Sequence, residues 1–386
     1  MAIPFSYNLR SAFRRKSATA LTLSAIAFSV AVLVLVLALA RGFETALSGT
    51  GSDRNVIVMR AGATSEGVSG VSRSTARVVG ANSYVARDSE GNSLAQPEIY
   101  AAFSLNRADG GRTNIPVRGT GPVGYACRDG LKLEGRMFAP GRYELVVGKA
   151  LVGRVQGCAL QGVIDLAGYA WRIVGVLDSN GAAYDSELWC DAEIFLRVMD
   201  RPGFSTLFCK LADGHDAKSV SEKLAADPRL NSMCKGERTY FAEQSGALAI
   251  TLKILAWFLA AIMGTGAVFG ATNTMLASVQ MRTREIGTLL ALGFRPRAIF
   301  LGFLMESAII GILGGAIGVA LGYQCNGIAT GTTNWATFTE QSFAFRVTGD
   351  VVVSAMVLAT LIGVVGGALP ARRASKLSPR AALRAL

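Results

Sequence analysis

Residues 281–322 read MRTREIGTLLALGFRPRAIFLGFLMESAIIGILGGAIGVALG. The first third is basic and amphipathic. Arg282, Arg284 and Glu285 open it, Ile286, Leu289, Leu290 and Leu292 cover much of one side, and Gly293 is placed to end a helix. Phe294, Arg295 and Pro296 then turn the chain, and proline is suited to the first turn of the helix that follows. The rest is apolar and rich in small residues. The stretch therefore predicts a short helix on a membrane surface, joined through a turn to a helix that crosses.

The remainder of the chain supports a membrane setting. Of 386 residues, 51% are hydrophobic and 17% charged, and the mean hydropathy is +0.37, too apolar for an ordinary soluble domain. Lys16 and Arg41 bracket a run without charge, and three more such runs go from Ile254 to Met281, Ser307 to Thr339 and Val351 to Ala371. Each is long enough to cross a bilayer, which takes roughly 20 residues. The expected fold is thus a membrane protein with four transmembrane α-helices and a large extracytoplasmic α+β domain between helices 1 and 2. Its expected parts are a cytoplasmic amphipathic helix (1–16), helix 1 (17–42), the outer domain (43–245), helix 2 with a stalk (246–281), a surface helix and turn (282–296), helix 3 (297–323), a short outer loop (324–350), helix 4 (351–370) and a tail (371–386).

Charge orients this arrangement. Both termini and the 282–297 loop hold Lys and Arg with the single acid Glu285, whereas 41–253 is nearly balanced. Basic residues concentrate on the cytoplasmic side, so both termini and that loop are expected inside. The net charge of +12 raises nucleic-acid binding as a rival, but no long basic run occurs apart from the membrane helices. The N-terminal run exceeds a signal-peptide core and is expected to be retained as helix 1.

Within 43–245, β-rich runs at Asn55–Met59, Ile99–Leu105, Ile115–Gly119, Leu145–Val147, Val163–Leu166 and Trp171–Leu177 alternate with turn residues. Helical patterns occupy Asp191–Asp200 and Asp216–Ala226, the latter with Asp216 as a candidate cap. The polar stretch Gly62–Asn92 is expected to be a loop or insertion. Cys127, Cys158, Cys190, Cys209 and Cys234 are possible disulfide partners in an oxidising compartment, with connectivity open. No CxxC pair occurs and His215 is the single histidine, so no metal site is expected.

Helix 3 carries Gly311, Gly314, Gly315, Gly318 and Gly322, and helix 4 carries Gly363 and Gly367. Such GxxxG spacings let backbones approach, within one chain or at a seam between two copies. Pro370 is expected to end helix 4. Glu306 is an intramembrane acid, a functional candidate by default, and its expected role is a structural pair with an Arg of the inner helices.

These parts, in this order, resemble the FtsX/MacB-type (type VII, mechanotransmission) permease family of ABC transporters. The resemblance rests on RTREIGTLLALGFRPRAIFLGFLMESAIIGILGGAIGVALG at 282–322 and LPARRASKLSPRAALRAL at 369–386, with looser likeness at 9–44, 131–154 and 170–189 and little over 62–110. It implies that Arg282 to Gly293 dock on a cytoplasmic ABC ATPase, present as a dimer, with a second permease copy alongside in the bacterial inner membrane. It further implies a periplasmic adaptor or cargo protein as partner and export or extraction of a lipoprotein, peptide or other amphipathic cargo. The alternative is an FtsX-like signalling subunit that activates a periplasmic enzyme. No GxxxxGK[ST] loop occurs in these residues, so ATP and Mg belong on a partner subunit and this chain is expected to be non-catalytic, with no cofactor of its own.

Overall fold

A computed structural model describes residues 16–334 and 337–378. The predicted surface helix over 1–16, except for its last residue, lies outside the described residues, as do Trp335 and the end of the tail. The chain divides into a helical unit (residues 1–41, 250–328 and 345–386) and a β-rich unit (42–249 and 329–344). Four helices are long and apolar enough to cross a membrane: α1 (Lys16–Ser48) and, further along, the second, third and fourth described below.

The β-rich unit is built on β1 (Asn55–Arg60), α2 (Arg73–Gly80), β2 (Ala95–Asn106), β3 (Arg112–Thr120), α3 (Pro122–Ala126), β4 (Lys132–Gly135), β5 (Glu144–Gly148), β6 (Val163–Leu166), β7 (Tyr169–Asp178), β8 (Leu188–Asp191), α4 (Ala192–Val198), β9 (Thr206–Lys210), α5 (Ala217–Ala225) and β10 (Ser232–Gly236). They form one sheet ordered β10-β1-β9-β2-β3-β8-β5-β7-β4, with β6 on β7. Strand β2 links two lobes, because Ala95–Glu98 pair with β9 while Ile99–Asn106 pair with β3. One lobe buries Trp171, Ile173, Leu145, Val147 and Phe195, and the other buries Val56, Val58, Leu207, Val220 and Leu224. On β7, Trp171, Ile173 and Leu177 are buried with exposed or half-buried residues between them, the period of two expected of a strand with one face inward.

Asp216 accepts from the Ser219 N–H and Ser219 reciprocates, so α5 starts with a complete capping box. Residues 62–92 are more ordered than their composition predicts. They contain α2, capped by Ser72, and bridges Val71 to Phe204 and Val85 to Leu211. Val79, Tyr84 and Val85 supply the apolar anchors that a count of Ser, Gly and Arg hides.

The remaining elements are α6 (Glu237–Met281), α7 (Thr283–Ala291), α8 (Pro296–Tyr323), β11 (Ala329–Asn334), β12 (Thr339–Ala344) and α9 (Gly349–Ser375). Helices α6, α8 and α9 are the other three long apolar ones. Three boundaries differ from expectation. α6 begins at Glu237. The stretch expected as a plain outer loop holds an antiparallel hairpin, β11–β12, that belongs to the β-rich unit.

The third difference is at Pro370, which lies inside α9 rather than at its end. A proline interrupts a helix because it cannot donate to the carbonyl four residues back. Here that carbonyl belongs to Gly366, and the Thr272 hydroxyl of α6 donates to it at 2.9 Å. Tertiary packing supplies the missing hydrogen bond, so the helix continues.

Candidate functional site

The quoted stretch forms a corner in the helical unit. Arg282 precedes α7, which spans two and a half turns before Gly293 reverses the chain with φ of +90°, a conformation open to glycine. Pro296 then starts α8. Ile286 is 2% exposed and packs with Met275, Val279, Ile299, Phe303, Ala371 and Ala374, with Leu290 against the same cluster. Leu289 is half-buried. On the opposite side Arg284, Glu285, Thr288 and Leu292 are exposed, Leu292 by 71%. The eight residues assigned to docking are therefore not one surface. Ile286 and Leu290 bolt α7 to α6, α8 and α9. Arg284, Thr288 and Leu292, spaced i, i+4, i+8, form the stripe left for a partner.

Arg282 joins the corner to the membrane helix. Its guanidinium donates to Glu306 at 3.2 Å and to Glu285 at 3.3 Å, and lies over the Phe303 ring at 5.3 Å. Glu306 is buried. The expected pairing of the intramembrane acid with an inner Arg is thus present, and the arginine is one that also belongs to the corner.

The glycines of α8 serve two contacts, not the single face that their spacing suggested. A side chain at Gly311 would meet the Ala359 carbonyl oxygen at 2.6 Å, and one at Gly315 would meet Ala359 Cβ at 2.5 Å, both on α9. At Gly314, Gly318 and Gly322 the neighbours are Ile26, Ala27, Val30 and Val34 on α1, all within 3 Å. Gly363 and Gly367 face Ser307 on α8. All are occupied by packing within the chain, which corrects their assignment to a seam between copies.

The five cysteines of the outer region are free, buried thiols, and Cys325 is free too. The expectation of disulfides among them is not met, for a geometric reason. Val56 pairs with Cys209 and Val58 with Cys234, so β1 lies between these two cysteines. Strands two positions apart are separated by roughly 9.5 Å, beyond disulfide reach. Burial pushes the Cys158 and Cys234 thiols up to about 12, which makes them poor nucleophiles.

A buried ionic network in the β-rich unit went unread in the sequence. Ile99, Ala101, Ile115 and Val117 of β2 and β3 face the apolar core, so Glu98, Tyr100, Arg118 and Thr120 point to the other side. There Arg118 donates five hydrogen bonds of 2.7–2.9 Å to Glu66, Glu98 and Glu187. Arg128 donates to Glu98 at 2.7 and 2.8 Å and to Glu237 at 3.3 Å. Glu237, the first residue of α6, also accepts from Tyr184, from Asn55 at 2.9 Å and from the Ser52 N–H at 3.0 Å. Its carboxylate at a helix start is favoured by the helix dipole as well. Gly124 permits the close approach, since a Cβ there would lie 2.1 Å from Thr120 Oγ1.

Four carboxylates against two guanidiniums leave excess negative charge in a site closed to water, and the protons respond. Burial alone would raise the Glu98 carboxyl, but Arg128 and Arg118 outweigh it and hold it down at about 2. At Glu66 burial wins over Arg118 and the carboxyl is raised. The available sequence signal was single charges inside β-rich runs, Glu98 ahead of Ile-Tyr-Ala-Ala and Arg118 after Ile-Pro-Val. A strand with one charged residue on the side away from the core is easily taken for a solvated face.

With this geometry in hand, the relatives can be placed. The family description FtsX-like permease C-terminal matches residues 257–379, and MacB-like periplasmic core domain matches residues 19–227. The macrolide export ATP-binding/permease protein MacB of Bdellovibrio bacteriovorus is 29% identical over 298 residues, covering 70% of this chain and 44% of that protein. The Escherichia coli protein of the same name is 26% identical over 298 residues, covering 73% of this chain and 45% of its own length. The chain thus matches less than half the length of these relatives. The crystal structure of the periplasmic region of MacB from Actinobacillus actinomycetemcomitans aligns with a TM-score of 0.37 at 16% identity, over 50% of this chain and 92% of that one.

Proposed function

The chain belongs to the FtsX/MacB-type family of ABC transporter permeases, and from that premise we propose that it is the permease subunit of a transporter whose ATPase docks on the α7 corner. One observation carries this reading. The corner has an inner face locked into the helical unit through Ile286 and Leu290 and an outer stripe, Arg284, Thr288 and Leu292, that is free of it. A handle of that kind moves as one body with the helices it is bolted to. ATP and Mg act on the partner, because the residues here contain no phosphate-binding loop.

In this reading, closure of two ATPase subunits displaces α7, and the α8 and α9 helices packed against it follow. Chain junctions at 41/42, 249/250, 328/329 and 344/345 lead from the helical unit into the β-rich one, so four covalent links carry the displacement. A second permease copy completes the assembly in the bacterial inner membrane, with both termini cytoplasmic and the β-rich unit periplasmic. The cargo class is a lipoprotein, peptide or other amphipathic molecule, delivered with or without a periplasmic adaptor.

The test is pull-down of tagged full-length chain from its own membranes, scored by Mg-dependent ATP hydrolysis in the captured material. Arg284→Glu together with Leu292→Asp is expected to abolish the hydrolysis while leaving the thermal transition of the chain unchanged. Hydrolysis captured at parental levels by this variant overturns the docking assignment.

A further inference from the structure

The β-rich unit has an open cavity of about 490 Å³ beside α2, lined by Arg73, Arg77 and Arg87, by Glu193 of α4, and by apolar residues of β2 and β9. Its size is that of a small-molecule site rather than a protein interface. The walls differ in character. Ala76, Ala95, Pro97, Phe204 and Leu207 make an apolar floor. At one end Arg73 and Glu193 neutralise each other through paired hydrogen bonds of 2.9 and 2.7 Å, and the Arg73 guanidinium lies 5.1 Å from the centre of the Phe204 ring.

Arg77 and Arg87 remain. Arg87 donates only to backbone, to the Gly91 carbonyl at 2.8 Å and the Ala81 carbonyl at 3.4 Å, contacts that orient its guanidinium without cancelling its charge. Among the described residues, neither Arg77 nor Arg87 has a carboxylate in ion-pair contact. The lining therefore carries two uncompensated positive charges above an apolar floor. A neutral amphiphile would cover these guanidiniums without pairing them, and a bare anion would leave the floor wet.

We propose that this cavity binds a small anionic amphiphile, a single phosphate or carboxylate group on a short alkyl body. The acid pairs with Arg77 and Arg87 and the alkyl body lies on Pro97, Phe204 and Leu207. The site needs no ATPase, so it stands apart from the permease reading. It lies on α2, within the stretch 62–110 whose sequence least resembles the family.

The probe is octyl phosphate, titrated calorimetrically into full-length chain in nanodiscs of zwitterionic lipid, with empty nanodiscs subtracted. Inorganic phosphate and octanol serve as the two half-ligands. Saturable binding of octyl phosphate is expected, with each half-ligand at least about tenfold weaker. Arg77→Gln with Arg87→Gln is expected to weaken octyl phosphate about tenfold or more. Ala81→Trp, on the exposed lip, is expected to weaken it with both arginines intact. Octanol binding as tightly as octyl phosphate overturns the anionic half, and inorganic phosphate binding as tightly overturns the apolar half. Affinity unchanged in both variants overturns the site.

Discussion

Arg118 makes hydrogen bonds to three buried carboxylates and lies 5.3 Å from the centre of the Tyr100 ring, itself 1% exposed. At the scale of single residues this network sets the pH response of the β-rich unit. Glu98 has a folded value of about 2 against an ordinary 4.5. Its contribution is therefore complete above 4.5 and is lost as pH falls toward 2, a total of about 3 kcal/mol. Glu66 is shifted the other way, chiefly by burial and against Arg118. Its contribution is present below 4.5 and is lost as pH rises through the raised folded value. Opposed slopes are expected on the two sides of a stability maximum. Denaturation across pH 3 to 9 checks this, with Glu66→Gln expected to remove the decline on the alkaline side whatever it does to absolute stability. A slope unchanged in that variant would assign the decline to another group.

At the scale of elements, close packing rather than surface chemistry explains the glycine pattern. A Cβ at Gly318 would lie 2.5 Å from the Ala27 carbonyl oxygen, whereas nothing lies within 4 Å of one at Gly266. Gly318→Leu is therefore expected to force α1 and α8 apart and cost about 1–3 kcal/mol or more. Gly266→Ala is expected to be neutral or slightly stabilising, since alanine is the better helix former. Thermal unfolding of the two variants in one detergent measures the contrast. The GxxxG spacing was plain in the sequence, but the partner was not, because lipid-facing, intrachain and intersubunit glycines share one pattern. The same limit applies to α7. Its apolar residues were visible from their spacing, yet only packing shows that Ile286 is core and Leu292 is surface.

At the scale of the whole molecule, the β11–β12 hairpin is the element least visible in sequence. It is polar, Thr339-Glu340-Gln341-Ser342, and yet buried. Its partners explain why. Glu340 accepts from Arg154, Arg107 and Thr113, Gln341 donates to the Ala183 carbonyl at 3.0 Å, and the Ser342 N–H donates to Ser186 Oγ at 2.8 Å. Glu340→Ala is expected to release the hairpin, leaving Arg154 without its buried carboxylate. Limited proteolysis reads this directly, as cleavage within 329–344 at protease levels that leave the parent intact. Equal resistance in parent and variant would show that backbone pairing alone holds the hairpin.

Sequence by itself determined what solvent and chain length dictate. Uncharged runs require helices of membrane length, alternating residues in β-rich runs mark strands with an inner face, and Gly293 with Pro296 marks the corner. Each depends on neighbours a few residues away. The tertiary structure decided what depends on groups distant in sequence. The Thr272 hydroxyl carries α9 past Pro370, β1 holds Cys209 and Cys234 apart, and Arg118 gathers carboxylates from positions 66, 98 and 187. Arg282 meeting Glu306 falls between these cases, since charge in a membrane helix demands a partner and only the fold selects which one.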